Sequence, residues 1–187
     1  MSDVRDKALI CSIMHAPSLG EVDICRDVLI CVDQKGQITS VTRPDDQNYE
    51  NLKIKAKSKK VLEIFPSDYF LLPGFIDLHV HAPQWPQLGK ALHLPLYDWL
   101  QEYTFPLEAR YADLDFANQV YTSLVDSLLA NGTTTALYFG TIHLEATKRL
   151  VDICVKLGQR ALIGKVSMDN PDECPEFYRD KSTNLGL

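Results

Sequence analysis

The sequence contains no Cys-x-x-Cys pair, and its five cysteines (Cys11, Cys25, Cys31, Cys154 and Cys174) are odd in number. Both facts argue against a disulfide framework and against a zinc ribbon. Cys11, Cys25 and Cys31 fall in apolar, strand-like stretches where small buried thiols are common. Positive charge is also in short supply. The 19 lysines and arginines face 25 acids, for a formal charge of −6, which leaves no footprint for a nucleic-acid partner. One local basic run, Lys53, Lys55, Lys57, Lys59 and Lys60, reads as a solvated edge strand or loop. The opening MSDVRDKALICSIM carries acids and no long apolar run, so neither a secretory signal nor a membrane-spanning helix is expected. A reducing, cytosolic setting follows. Low-complexity tracts are missing as well.

What is present suits a folded α/β protein. The 187 residues are 45% hydrophobic and 24% charged, enough to bury a core in one medium domain or two small ones. Residues 1–72 read as β structure. ALICSIMH, DVLICVD and GQITSV are short, β-branched and separated by turn residues. NLKIKAK alternates polar and apolar residues, which predicts a half-buried strand. A small antiparallel sheet is expected here. At Pro73-Gly74 the pattern changes. FIDLHVH follows as a strand, then a long loop to about Pro95, with a short helix expected in YDWLQEYTF. Phe116, Val120, Leu124 and Leu128 recur every fourth residue, which predicts an amphipathic helix over 115–130, ended by Asn131-Gly132. TTTALYFG reads as a strand. A helix over 145–157 with Leu150, Val151, Cys154 and Leu157 inward, capped by Gly158, leads to a third strand in RALIGKVSMD. This alternation is the grammar of a parallel sheet.

Two histidines stand one residue apart in FIDLHVH. Side chains alternate along a strand, so Phe75, Asp77, His79 and His81 share one face and Ile76, Leu78 and Val80 the other, suited to packing beneath helices. The histidines lie about 7 Å apart along the strand, at its C-terminal end, where parallel α/β folds place their chemistry. Neutral imidazole is a strong zinc ligand, and two from one strand arrive preorganised. Asp77 could orient a ring nitrogen or support the site. His143-Leu144-Glu145 has the H-x-E form of a different deaminase fold, but no P-C-x-x-C follows. Lys165 is read as structural or solvent-reaching. His15 and His93 have no partner in sequence and are expected to be exposed.

LLPGFIDLHVH resembles the first-strand signature of the amidohydrolase superfamily, and NGTTTALYF its second-strand segment. HVHAPQ, LPLYDWLQEYTFP, NGTTTALYFGTIH and GQRALIGKVSMD together resemble the guanine deaminase branch of that superfamily. The resemblance implies an incomplete (β/α)8 barrel of about three strands over 73–187, preceded over 1–72 by part of a small β-sandwich. It implies zinc-dependent hydrolysis of guanine to xanthine and ammonia. One zinc would be bound by His79 and His81, with a later histidine and a late aspartate that have no counterpart here. His81, Ala82, Pro83 and Gln84 would meet the base, the amide of Gln84 offering donor and acceptor to a purine edge. Trp85, Leu94, Leu96 and Trp99 would wall an apolar pocket. No catalytic residue falls in this segment, since the proton-shuttling glutamate would lie beyond it. The chain is accordingly expected to be an N-terminal portion, inactive alone, of a cytosolic homodimer that binds neither nucleic acid nor membrane. The alternatives are a non-catalytic short form that binds a partner, and another amidohydrolase such as a triazine hydrolase or hydantoinase-like protein. Gln84 and YTFP argue against the last.

Overall fold

A computed structural model describes residues 5–181. Two compact units divide between Pro73 and Gly74. The first is a mixed sheet. Strands β1 (Ala8–His15) and β2 (Asp23–Val32) pair antiparallel, and β3 (Ile38–Thr42) extends the sheet from β2. Helix α1 (Tyr49–Ser58) intervenes before β4 (Leu62–Ile64) and β5 (Phe70–Leu71), which both run parallel to β1. The pleat sends alternate residues to opposite faces. Ala8, Ile10 and Leu29 therefore bury against Tyr49 and Ala56 of α1, while Leu9, Cys11, Val28 and Ile30 form a second cluster. All five cysteines are free thiols.

Three expectations for this unit are corrected. The sheet is mixed, because β4 and β5 return parallel to β1. The NLKIKAK stretch is helical. Its lysines and alanine are good helix formers, and Tyr49, Leu52 and Ala56 fall on one helical stripe that packs on the sheet. Ile54, which suggested alternation, is exposed. Glu50 in the first turn and Lys55 and Lys57 in the last complement the helix dipole. His15 is also not without a partner: its Nε2 lies 3.2 Å from Asp23 Oδ2. His93 is exposed.

The second unit is a parallel sheet ordered β6 (Phe75–His81), β7 (Thr133–Phe139), β8 (Arg160–Gly164). The long loop expected after β6 contains a 3₁₀ helix, Ala82–Gln87. The expected short helix is a broken one: α2 (Leu96–Trp99), a π turn (Leu100–Thr104), α3 (Phe105–Ala109) and a 3₁₀ turn (Arg110–Ala112). Helices α4 (Leu114–Ala130) and α5 (Leu144–Leu157) carry the crossovers. Asp113 caps α4 by accepting from the amides of Asp115 and Phe116. Gly132, at φ +88°, turns the chain into β7, and Gly158, at φ +79°, ends α5.

The core of this unit joins Tyr121, Leu124 and Val125 of α4, Tyr138 of β7, and Leu150 and Cys154 of α5. Burial pushes the Cys154 thiol up to about 11. Val151, expected inward, is exposed. The buried stripe of α5 runs through Thr147, Leu150 and Ile153 instead, and Val151 lies just beyond it. On β6 only Val80 packs against this core, whereas Ile76 and Leu78 are each 66% exposed. The strand is at the edge of the described sheet, and α4 and α5 cover its neighbour β7 instead.

Candidate metal and base-binding site

The C-terminal end of β6 departs from a regular ladder. Asp77 pairs with Ala136 and Val80 with Tyr138, so Leu78 and His79 together oppose Leu137 alone. This is a bulge, which leaves backbone groups off the ladder. The Asp77 carboxylate accepts from the His79 backbone amide at 3.0 Å and so closes the bulge on itself. The sequence offers Asp77 two roles, orienting a ring nitrogen or supporting the site; its hydrogen bond is to the strand backbone beneath the rings.

His79 and His81 come together. Their Nε2 atoms lie 3.1 Å apart, with one N–H donating to the other ring. Phe139, at the end of β7 and paired with His81 in register, backs both imidazoles. Its ring stacks on His81 at 4.8 Å and 15°, and lies 4.9 Å from His79. Burial among these neighbours, and then the adjacent His79, lowers the pKa of His81 and favours the neutral ring. A tetrahedral zinc with Zn–N bonds of about 2.0–2.1 Å holds two nitrogens about 3.3 Å apart. The observed separation fits a shared metal in place of the shared proton. Among the described residues, no third histidine, cysteine or carboxylate joins the pair.

The 3₁₀ helix after His81 carries the rest of the predicted segment. Ala82 and Pro83 are buried, and the Pro83 carbonyl accepts from the Tyr111 hydroxyl at 2.9 Å. Gln87 donates to Thr104 Oγ1 at 2.8 Å. Gln84 is half-buried and donates from Nε2 to Glu108 Oε1 at 3.1 Å. Glu108, on α3, is 5% exposed, and its other oxygen accepts a short hydrogen bond from the Tyr178 hydroxyl. Burial raises the Glu108 pKa, while the hydrogen bonds from Tyr178 and Gln84 oppose that rise. Burial also pushes the Tyr178 phenol upward, with Glu108 adding to it, so the phenol remains a donor. Of the expected pocket wall, Trp85 packs on the core, Leu96 is exposed, and Trp99 Nε1 donates to the Lys90 carbonyl at 3.0 Å. Lys165 pairs with Asp180.

Phe139, Glu108 and Tyr178 were not anticipated from the sequence. Phe139 could have been reached by writing β6 and β7 side by side in parallel register. Glu108 and Tyr178 sit in short helical turns with no periodic signal of their own.

A histidine pair at the C-terminal end of a strand in a parallel βαβ sheet is placed where such sheets carry their chemistry, with side chains suited to a metal ion. Residues 70–185 match the Amidohydrolase family, and the chain belongs to it. Within the family it is similar to the guanine deaminase of Dictyostelium discoideum, at 41% identity over 186 residues, covering 92% of this chain and 40% of that protein. The crystal structure of guanine deaminase from C. acetobutylicum with bound guanine in the active site superposes with a TM-score of 0.79 at 31% identity, covering 92% of this chain and 38% of that one. Atrazine chlorohydrolase from Arthrobacter aurescens, complexed with zinc, shares the fold at a TM-score of 0.67 and 17% identity, covering 92% of this chain and 39% of that one. The chain thus spans about two-fifths of the length of the relatives it matches.

Proposed function

We propose that this chain contributes the first metal ligands and the base-contacting turn of a zinc-dependent guanine deaminase, which hydrolyses guanine to xanthine and ammonia. The observation that carries this is the His79–His81 pair, with Nε2 atoms 3.1 Å apart at a strand end, followed within one turn by an anchored Gln84. The similarity to guanine deaminases supports the choice of substrate. In this reading the three parallel strands begin a (β/α)8 barrel over 73–187, and the sheet over 1–72 is part of a small β-sandwich. The complete enzyme is a cytosolic homodimer. Among the described residues, no helix is long and apolar enough to cross a membrane.

Zinc bound at the pair would make hydroxide available near neutral pH, the nucleophile that hydrolysis of the C2–amine bond needs. The chain's own residues prepare for this. Phe139 fixes both ring planes and the Asp77-closed bulge fixes the strand. Neutral His81 keeps a lone pair for the metal. Ala82, Pro83 and Gln84 lie along the base, and the Gln84 amide hydrogen-bonds its polar edge. The remaining ligands and the proton shuttle come from outside the described residues.

The test uses the polypeptide encoded by the whole gene. His79→Ala and His81→Ala should each lose bound zinc and guanine turnover together. Full turnover in either variant would reject the assignment.

A further inference from the structure

We infer that Glu108 is a positioning residue, which holds the Gln84 amide with its nitrogen turned inward and its carbonyl oxygen offered to the ligand. The inference rests on the guanine reading for what the ligand is, but not for the orientation itself. An ionised carboxylate can only accept hydrogen bonds. Tyr178 O–H donates to one oxygen of Glu108 and Gln84 Nε2 to the other. With Glu108 5% exposed and Tyr178 fully buried, solvent has little access to replace either donor. Turning the amide over would aim its carbonyl oxygen at a carboxylate oxygen, and the two acceptors would repel. The nitrogen-inward state is therefore the one the pair permits.

Among the described residues the Gln84 oxygen Oε1 accepts no hydrogen bond of its own. It is left to receive a ring N–H from a base lying along the turn. The turn cannot follow a swinging side chain, because the Tyr111 hydroxyl holds the Pro83 carbonyl and Gln87 is tied to Thr104. A free glutamine would present either end of its amide. This one presents an acceptor first, which suits a purine in its lactam form.

The test reads orientation and catalysis separately in the complete, zinc-loaded protein. With ¹⁵N labelling, the Gln84 side-chain amide, assigned by its loss in Gln84→Met, should show one N–H shifted away from free glutamine and slow to exchange. Glu108→Leu, which leaves no acceptor for the Gln84 N–H, should abolish that shift. The same variant should raise KM for guanine roughly tenfold, the scale of one lost hydrogen bond to a charged group, with kcat and zinc content nearly unchanged. In the Gln84→Met background Glu108→Leu should add nothing to KM. An amide signal that is unaltered by Glu108→Leu, or a fall in kcat and zinc as large as the rise in KM, would overturn the inference. If Glu108→Leu does not fold, the wild-type spectrum decides, since a Gln84 amide at free-glutamine positions is enough to reject it. A wild-type protein that does not act on guanine would sink the guanine reading alone, and the amide signal would still decide the role of Glu108.

Discussion

Glu108 sits almost dry between an amide and a phenol. Burial raises its pKa in the folded chain above its value in the unfolded one. As pH rises, the unfolded state therefore gives up this proton first. Stability is full below the ordinary carboxylate range and falls as pH climbs from there through the raised folded value. Glu108→Gln has no such proton to lose. Urea unfolding midpoints of the two proteins, compared at about pH 4 and about pH 7, should show wild type losing ground to the variant over that interval. A constant difference would mean that the two hydrogen bonds fully offset burial. Beside it, Gln84→Ala in the complete enzyme removes the group that reads the base. Leaving a polar edge unpaired costs about 1–3 kcal/mol. KM for guanine should rise while zinc content, measured by metal analysis, stays put. Equal loss of both would make Gln84 a support for the metal instead.

Among the elements, the entry to β6 has the tightest tolerance. Phe75 pairs with Thr133 but Ile76 with Thr135, so Thr134 is an extra residue on β7 and its side chain fills the space over Gly74. A Cβ at Gly74 would lie 2.0 Å from Thr134 Oγ1 and 2.7 Å from its Cβ. Gly74→Ala should destabilise the second unit by about 1–3 kcal/mol, readable as a lower urea midpoint. An unchanged midpoint would show that β7 can shift at little cost. Neither bulge could be seen in the sequence, because an extra residue in a ladder is defined only by the strand beside it. Helices α4 and α5 were legible because their four-residue stripes and glycine ends are local. Helix α1 was not, since lysines between Leu52, Ile54 and Ala56 mimic a strand until the sheet selects Tyr49, Leu52 and Ala56 as the buried side. The histidine pair was legible from its spacing. Its backing by Phe139 was within reach of a side-by-side alignment of β6 and β7, whereas the anchoring of Gln84 by Glu108 and Tyr178 comes from distant turns and required the fold.

For the molecule as a whole, the two-ligand site sets the limit. Two histidines from one strand do not close a four-coordinate zinc site, and the described residues offer no third ligand. The undescribed residues 1–4 and 182–187 contain a single acid, Asp3. The purified 187-residue chain, given zinc, should therefore form no xanthine from guanine. Sustained turnover that disappears in His79→Ala would overturn this. The exposed edge strand β6, with Ile76 and Leu78 uncovered, adds a tendency to self-associate, which light scattering would register. Reading the transcript past the codon for Leu187 would show directly whether further ligands are encoded.

The π turn at Leu100–Thr104 has a consequence in lineage. Such a turn fits one more residue into the span of an α-helical turn. In a regular α-helix, a gain or loss of one residue turns everything after it by about 100°. Here the wide turn already holds the additional residue, so its deletion would narrow the turn and leave α3, with Glu108, close to its present direction. The amide held by Glu108 would keep its partner. A change of length that would re-aim a side chain elsewhere can therefore be inherited here without a change in what the protein recognises. Single-residue deletions in Leu100–Thr104 should be tolerated better than deletions inside α4.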